Sequence, residues 1–199
     1  MRFSEAQRAF RGQPENVDFV DDPNDPRRLV RRLNPWHSFS MRERARLARL
    51  HFPRLATPDV QLPDAIFVNP PLWQRKNPAG FVSVQRIIGE VLPDQPDTLQ
   101  DLKRQRGVVN ALSSYLAWVR ASGQPYVMSD LAAPEQYMYG RPAHTFYDKE
   151  VYLIDIEPKP VPIGPHEPNG HDYFPGHLTA MSQAVNDWAE RLDMAPPLG

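Results

Sequence analysis

The sequence lacks cysteine altogether, although it is 199 residues long. It therefore cannot form disulfide bonds, thiolate zinc sites or a cysteine nucleophile. Its ten glycines are scattered singly, so no glycine-rich phosphate-binding loop is present. No apolar run approaches the roughly 18 residues of a membrane span, and the start, MRFSEAQRAF, lacks a signal-peptide core. We therefore expect a cytoplasmic protein, or part of an intracellularly assembled particle.

Proline, in contrast, is abundant, with 23 residues or about twice its usual share. Each proline removes a backbone donor and fixes a turn or an extended segment. The longest such segment is a Pro-rich loop over 158–175, which holds six prolines together with Tyr173 and Phe174. Long loops inside a domain are functional, mobile or wrapped around a neighbour. We expect long, rigid and irregular connections, and an extended arm at 158–175.

The helix around which we expect the chain to be organised runs from Asp97 to Gly123. Asp97 is a good N-cap with Gln100 three residues on, and Gly123 followed by Pro125 is a helix stop. Its apolar residues recur mostly at steps of three and four: Leu99, Leu102, Val108, Val109, Leu112, Leu116 and Val119. That spacing is typical of one buried helix face.

The remaining patterns predict one α+β domain over 1–199, mainly helical, with a small sheet. The clearest strand is 149–157, which is almost continuously apolar and so predicts burial on both faces. Shorter strands are predicted at 65–68 and 126–128, and an amphipathic helix over 178–192. Residues 77–91 fit either a helix or a strand.

Positive charge is concentrated in residues 26–54, which hold nine arginines and one acidic residue within a chain of net charge −1. We expect this segment to be helical, with one helix over 26–33 that starts at Asp25-Pro26 and another that starts at Ser40. We predict that arginines on these helices contact a partner: Arg27, Arg28, Arg31, Arg32, Arg42, Arg46 and Arg49.

The arginines have three interpretations. They contact the acidic surface of another protein, they bind nucleic acid, or they pair with carboxylates of the same chain. Arg42, Arg46 and Arg49 fall on one helical stripe. Nucleic-acid binding at 26–54 is the less favoured partner interpretation, because no recognised binding motif accompanies the arginines.

Histidines near the C-terminus form the first candidate metal site. His166, His171 and His177, with Asp172 beside them, offer ligands suited to zinc or another divalent ion. Their spacings of five and six residues match no motif with a known mechanism. We therefore favour ordinary loop histidines here and expect no metal or other cofactor.

The second candidate is an acidic segment that ends in a lysine. Glu157-Pro158-Lys159, with Asp148 or Asp155 upstream, resembles the core of the restriction-endonuclease-like nucleases over about 16 residues. The resemblance implies that the carboxylates hold Mg²⁺, that Lys159 helps to activate water, and that His144 assists. Pro158 inside the triplet is unusual for a regular central strand.

No catalytic arrangement among these residues is convincing, and proline-fixed segments suit the wrapping of a partner. We therefore expect a structural subunit or adaptor of a larger, virion-like or secretion-machine-like assembly. It would bind other protein subunits, as a homo- or hetero-oligomer, through the arginines and through the arm with Tyr173 and Phe174. The alternatives are a metal-dependent hydrolase or nuclease, and a nucleic-acid-associated protein.

Overall fold

A computed structural model describes residues 1–14, 17–33, 39–71, 80–164 and 176–193. The fold is a mixed α+β fold, as predicted, but strands take a larger share than a mainly helical protein would have. The helices in the described ranges are α1 Phe3–Ala9, α2 Met41–His51, α3 Leu99–Ala121 and α4 His177–Asp193. Two single 3₁₀ turns lie at Phe52–Arg54 and Pro134–Gln136.

The strands in these ranges form antiparallel sheets. They are β1 Phe19–Asp21, β2 Arg28–Leu33, β3 Ala65–Val68, β4 Gly80–Gln85, β5 Ile87–Val91, β6 Tyr126–Met128, β7 Tyr137–Pro142, β8 Glu150–Leu153 and β9 Pro160–Pro162. Their order is β1-β2-β4-β3 in a four-stranded sheet, here the N-terminal sheet, and β5-β7-β8 in a three-stranded sheet, here the central sheet. β6 pairs with β9 alone.

One stretch of chain, residues 80–91, joins the two larger sheets. β4 lies in the N-terminal sheet and β5 in the central sheet, and Arg86 is the single residue between them. The Arg86 amide donates to the carbonyl of Arg27 at 2.8 Å, and its own carbonyl accepts from the amide of Ala143 at 2.8 Å. The ambiguous 77–91 pattern therefore corresponds to two strands wherever these residues are described.

The predicted organising helix is present as α3, which carries the main core. Its N-cap is Thr98 rather than Asp97, since the Thr98 side chain accepts from the amide of Asp101. Gly123 has a φ of +61° just past the helix end, the left-handed conformation that glycine adopts most readily. The predicted apolar face is buried from Leu102 onwards, whereas Leu99 is exposed. α4 packs against α3 through Met181, Val185, Trp188 and Leu192.

The helix predicted over 26–33 is wrong, because Arg28–Leu33 is strand β2. Asp25 and Pro26 form a turn before this strand instead of capping a helix. β2 is an inner strand with both faces covered: Leu33 packs in the main core, and Val30 lies on the opposite face. The apolar residues of β2 stand at positions 29, 30 and 33, a spacing that fits a helix better than the two-residue period of a strand. Among the described residues of 26–54, the helical ones are therefore those of α2 and the 3₁₀ turn that follows.

The outer face of the N-terminal sheet carries a second, smaller apolar cluster, covered by α1. Ala6 and Phe10 pack there with Val30, Val68 and Phe81. The Phe81 ring lies 5.4 Å from the ring of Phe3 and 5.6 Å from that of Phe10. The N-terminal helix is therefore attached to the sheet by apolar and aromatic contacts.

Toward the C-terminus the chain differs from the predicted pattern in two places. The strand predicted at 149–157 is shorter, ending at Leu153, and residues 154–159 form an irregular segment. The predicted arm at 158–175 includes strand β9, and its residues 165–175 lie outside the described part of the chain. The described residues contain no helix that is long and apolar enough to cross a membrane.

Candidate functional site

The irregular segment after β8 holds a cluster of buried and half-buried ion pairs. Glu157 accepts from two arginines, Arg31 at 3.1 Å and Arg44 at 3.0 Å, one through each carboxylate oxygen. Arg31 also donates to Asp155. Arg44 is 0% exposed, and its Nε donates to the carbonyl of Pro158 at 2.8 Å. We call these four charged residues, together with Lys159 and Asp130, the ion-pair cluster.

Three separate elements bring these charges together. β2 supplies Arg31, and the buried face of α2 supplies Arg44 next to Ala45 and Ala48. The turn after β8 supplies the carboxylates of Asp155 and Glu157. The turn is held by a hydrogen bond in which the Asp155 side chain accepts from the amide of Glu157 at 3.1 Å. Such a bond replaces a strand ladder by a local turn.

The polar end of the cluster is formed by Lys159. Its ammonium donates to Asp130 at 3.0 Å and lies 3.9 Å from Asp155 and 3.8 Å from Glu157. Burial disfavours the charged form, but the bond to Asp130 and the nearby carboxylates outweigh it and raise the pKa of Lys159. For Arg44 the balance is reversed, because burial lowers its pKa against the raising effect of Glu157. Both side chains are nevertheless cations at neutral pH.

This geometry does not favour the magnesium site that the nuclease resemblance implies. Three cations and three carboxylates balance within the ion-pair cluster, and both oxygens of Glu157 are already taken by guanidinium groups. Asp148 and His144 are exposed in the loop after β7. Across the described ranges, no three His, Cys, Asp or Glu side chains come together as potential metal ligands.

The predicted histidine site lies mostly beyond the described residues. His166, His171 and Asp172 fall in the range 165–175, and so do Tyr173 and Phe174 of the predicted arm. His177 is the first residue of α4, and it lines a cavity of about 400 Å³ together with Asp130 and Glu135. Lys159 thus connects this cavity, through Asp130, to the rest of the ion-pair cluster.

A cleft of about 310 Å³ lies between the N-terminal and central sheets and borders the ion-pair cluster. Its walls combine apolar side chains with a few polar ones: Phe19, Leu29, Arg31, Pro63, Val84, Gln85, Ile87, Glu135, Gln136, Met138, Ile154 and Asp155. The Nε of Arg31 is buried and has no hydrogen-bond partner within the described part of the chain. Apolar walls with a few convergent polar groups are typical of small-molecule sites.

The free edge of β5 supplies backbone groups at this cleft. The amide of Leu92 donates to the carbonyl of Tyr137, and that of Ala143 to the carbonyl of Arg86. Hydrogen bonding to β7 therefore uses the even-numbered residues of β5. In an antiparallel strand the alternate residues face the other way, so the amide and carbonyl of Ile87 point to the open edge.

The predicted arginine contacts divide into two groups. Within β2 and the turn before it, Arg27 pairs with Asp25, Arg28 with Asp64, and Arg31 with the cluster, while the guanidinium of Arg32 lies 4.5 Å from the ring centre of Phe10. The three on α2 are exposed and make no ion pair with any described residue: Arg42, Arg46 and Arg49. We call these three the α2 arginine stripe.

The buried face of α2 also carries a histidine that is 0% exposed. The Tyr115 hydroxyl accepts from the amide of Met128 at 2.9 Å and is hydrogen-bonded at 2.9 Å to Nδ1 of His51, where the tautomer of the ring decides which of the two donates. The other ring nitrogen, Nε2, is buried and has no hydrogen-bond partner among the described residues. Burial, assisted by the charge of Arg46, lowers the pKa of His51 to about 4.

Sequence reasoning missed Arg44 and the cleft. The signal for Arg44 was present, since it falls on the same helix face as Met41, Ala45 and Ala48 and not on the stripe. The cleft left no such signal, because its walls come from segments far apart in the chain. Comparisons with protein-family models, with curated proteins and with solved structures find no match for this chain.

Proposed function

We propose that the protein is an interaction subunit that contacts an acidic neighbour through the α2 arginine stripe. The observation that supports the proposal is the division of the arginines. Folding uses Arg27, Arg28, Arg31 and Arg44 in internal ion pairs and leaves one coherent set of three on a single exposed face. The balanced ion-pair cluster, in turn, stabilises the fold and offers no free carboxylate pair for metal-assisted catalysis.

Like charges lie close together along the stripe, and the acid whose pKa responds to it is Glu43: hydrogen bonds from Ser40 lower that pKa most, and the charge of Arg46 lowers it further. Arg42 and Arg46 are four residues apart, and Arg46 and Arg49 three apart, so neighbouring like charges cost about 0.2–0.5 kcal/mol per pair. The one acid in this helix, Glu43, is held by the amide and hydroxyl of Ser40. Carboxylates on a partner relieve this repulsion and gain forked hydrogen bonds from the guanidinium groups.

The test is a charge-reversal triple variant, R42E/R46E/R49E. Size-exclusion chromatography with light scattering, and co-purification from the native host, report whether the chain assembles. We expect the triple variant to lose the assembly and R8E/R11E/R141E to keep it, because these three arginines are exposed and the change in net charge is the same. Equal assembly of the two variants contradicts the role of the stripe. Competition with short acidic peptides and with single-stranded DNA separates an acidic protein surface from nucleic acid.

A second candidate function is the binding of a small molecule in the cleft between the sheets. It is favoured by the cleft volume of about 310 Å³, the apolar walls and the Arg31 Nε, which has no partner among the described residues. The free backbone groups of Ile87 suit a ligand with a flat apolar body and a hydrogen-bonding edge. Arg31 and Asp155, which line the cleft, are already paired with each other. We therefore infer that the ligand is neutral where it contacts these two side chains.

An environment-sensitive dye tests the cleft directly. Anilinonaphthalene sulfonate should fluoresce with the folded wild type, and Met138→Trp should abolish the signal by filling the cleft. Ile88→Trp is the matched control, because Ile88 is 57% exposed and lies on the opposite face of β5 from Ile87, so the signal should be unchanged. Undiminished fluorescence of a cooperatively folded Met138→Trp variant removes the cleft as the binding site.

A further inference from the structure

The exposed face of α4 carries two carboxylates that form no ion pair with any described residue. They belong to Asp187 and Glu190, on the side of α4 opposite the apolar residues that pack against α3. The side-chain amide of Gln183 donates a neutral hydrogen bond to Asp187 at 2.7 Å. Because these three residues are four and three positions apart, they lie on one face of the helix. We call them the α4 acceptor stripe.

The other acidic residues on the four α-helices are already engaged within the fold. Glu5 and Glu43 accept hydrogen bonds at the starts of α1 and α2. Asp101 and Asp193 each form an ion pair with an arginine. Among the described helices, the α4 acceptor stripe is therefore the surface that carries carboxylates without ion pairs.

The α2 arginine stripe and the α4 acceptor stripe match in spacing. In both, the second residue follows the first by four positions and the third follows the second by three, so each stripe covers about 10.5 Å along its helix axis. When two such helices lie side by side, the middle residues, Arg46 and Asp187, face each other in either relative direction. Glu190 then faces Arg42 if the helices are antiparallel and Arg49 if they are parallel.

We propose that the acidic neighbour of the α2 arginine stripe is the α4 acceptor stripe of a second copy of this chain. This inference rests on the proposed function and names its partner. Three cations on one stripe meet two carboxylates on the other, and no ion pair between described residues joins α2 to α4 within one copy. Pairing across copies relieves the repulsion along both stripes and forms charge-assisted hydrogen bonds.

The contact is head-to-tail, because the two stripes are different surfaces of the chain. Each copy presents α2 to one neighbour and α4 to another, an arrangement that closes into a ring or extends into a filament. Exposed ion pairs are individually weak and are screened by salt, with a Debye length of about 10 Å at 0.1 M and about 3 Å at 1 M. Assembly should therefore increase with protein concentration at low salt and be lost near about 1 M salt.

Charge exchange between the two stripes tests the proposal with the full chain. Arg46→Asp and Asp187→Arg each place like charges at the middle of the contact and should weaken self-association by about tenfold or more, measured by light scattering at low salt. An equimolar mixture of the two variants should assemble again, because every contact between unlike copies then has opposite charges. The double variant R46D/D187R should also assemble alone. Arg141→Asp and Asp94→Arg, at other exposed sites, are the matched controls and should assemble as the wild type does.

The outcomes separate this inference from the proposed function. A wild type that is monomeric at every concentration at low salt overturns the inference, as does an Asp187→Arg variant that assembles like the wild type. If R42E/R46E/R49E loses a partner that co-purifies from the host while Asp187→Arg keeps it, the stripe binds another protein and the second copy is not its neighbour. If the triple variant keeps that partner as well, the proposed function itself is wrong.

Discussion

The two faces of α2 use the same amino acid in opposite ways. Arg44 is fully buried and held by Glu157 and a backbone carbonyl, whereas Arg42, two residues earlier, is exposed and has no ion-pair partner among the described residues. The difference shows that the arginine content of residues 26–54 has two causes. Some of these arginines, such as Arg44, pair with carboxylates of the same chain. Others, such as Arg42, remain exposed on the surface without an ion pair to a described residue.

The largest effect should come from the buried face. Arg44→Ala removes one partner of a buried pair and leaves Glu157 with a single guanidinium, which should lower the free energy of unfolding by about 3–5 kcal/mol. Urea denaturation measures it. Arg42→Ala is the matched control and should change stability by less than about 0.5 kcal/mol. Equal losses of unfolding free energy in the two variants would contradict the difference between the two faces of α2.

The pH dependence of stability should report His51, on the same buried face. Its folded pKa of about 4 lies below the unfolded value of 6.5, so the unfolded chain binds the proton more readily. Stability from this group is fully present above pH 6.5 and is lost as the pH falls toward 4, by about 3 kcal/mol in all. Chemical denaturation between pH 4 and 6.5 measures the free energy of unfolding as a function of pH. In His51→Phe, this free energy should change less with pH over the same range. A wild-type slope retained in that variant assigns the titration to other groups.

A smaller effect should follow from the hydroxyl that connects His51 to β6. Tyr115→Phe leaves the amide of Met128 and Nδ1 of His51 unpaired in the core, which should cost about 1–3 kcal/mol of unfolding free energy. Tyr147→Phe, on a side chain that is 73% exposed, should cost almost nothing. Similar stabilities of both variants would mean that the buried hydroxyl is not required.

The smallest effect on stability should come from the stripe. Arg46→Gln removes like-charge neighbours at both Arg42 and Arg49 and should stabilise the free protein by a few tenths of a kcal/mol. It should also raise the pKa of His51, because Arg46 contributes to lowering it. NMR titration of the His51 ring measures that shift. A pKa that falls instead would contradict the arrangement of charges around α2.

How much of this architecture is encoded locally can be judged from particular elements. α2 and α3 were predictable because cap residues and apolar spacing agree within a single segment, and α4 was predictable from its apolar spacing. β2 was mistaken for a helix because its identity depends on distant partners, β4 on one side and β1 on the other. Local signals such as Asp25-Pro26 carry no information about those partners.

The candidate site shows the same limit. Asp155, Glu157 and Lys159 were identified as a chemical group, but their partners Arg31 and Arg44 lie more than 100 residues away in the chain. Those partners turn a possible metal site into a balanced network. The early end of β8 follows from the bond between the Asp155 side chain and the Glu157 amide, and from Pro158, which has no amide to donate.

Arg86 links the N-terminal sheet to the central sheet. Because it alone separates β4 from β5, the N-terminal and central sheets cannot slide past one another along this stretch, and a relative displacement has to pass through the torsion angles at that residue. A rotation about the backbone of Arg86 moves Val84 relative to Ile87, and both residues line the cleft between the two sheets. A change in the backbone torsion angles at Arg86 therefore changes the distance between these two parts of the cleft wall.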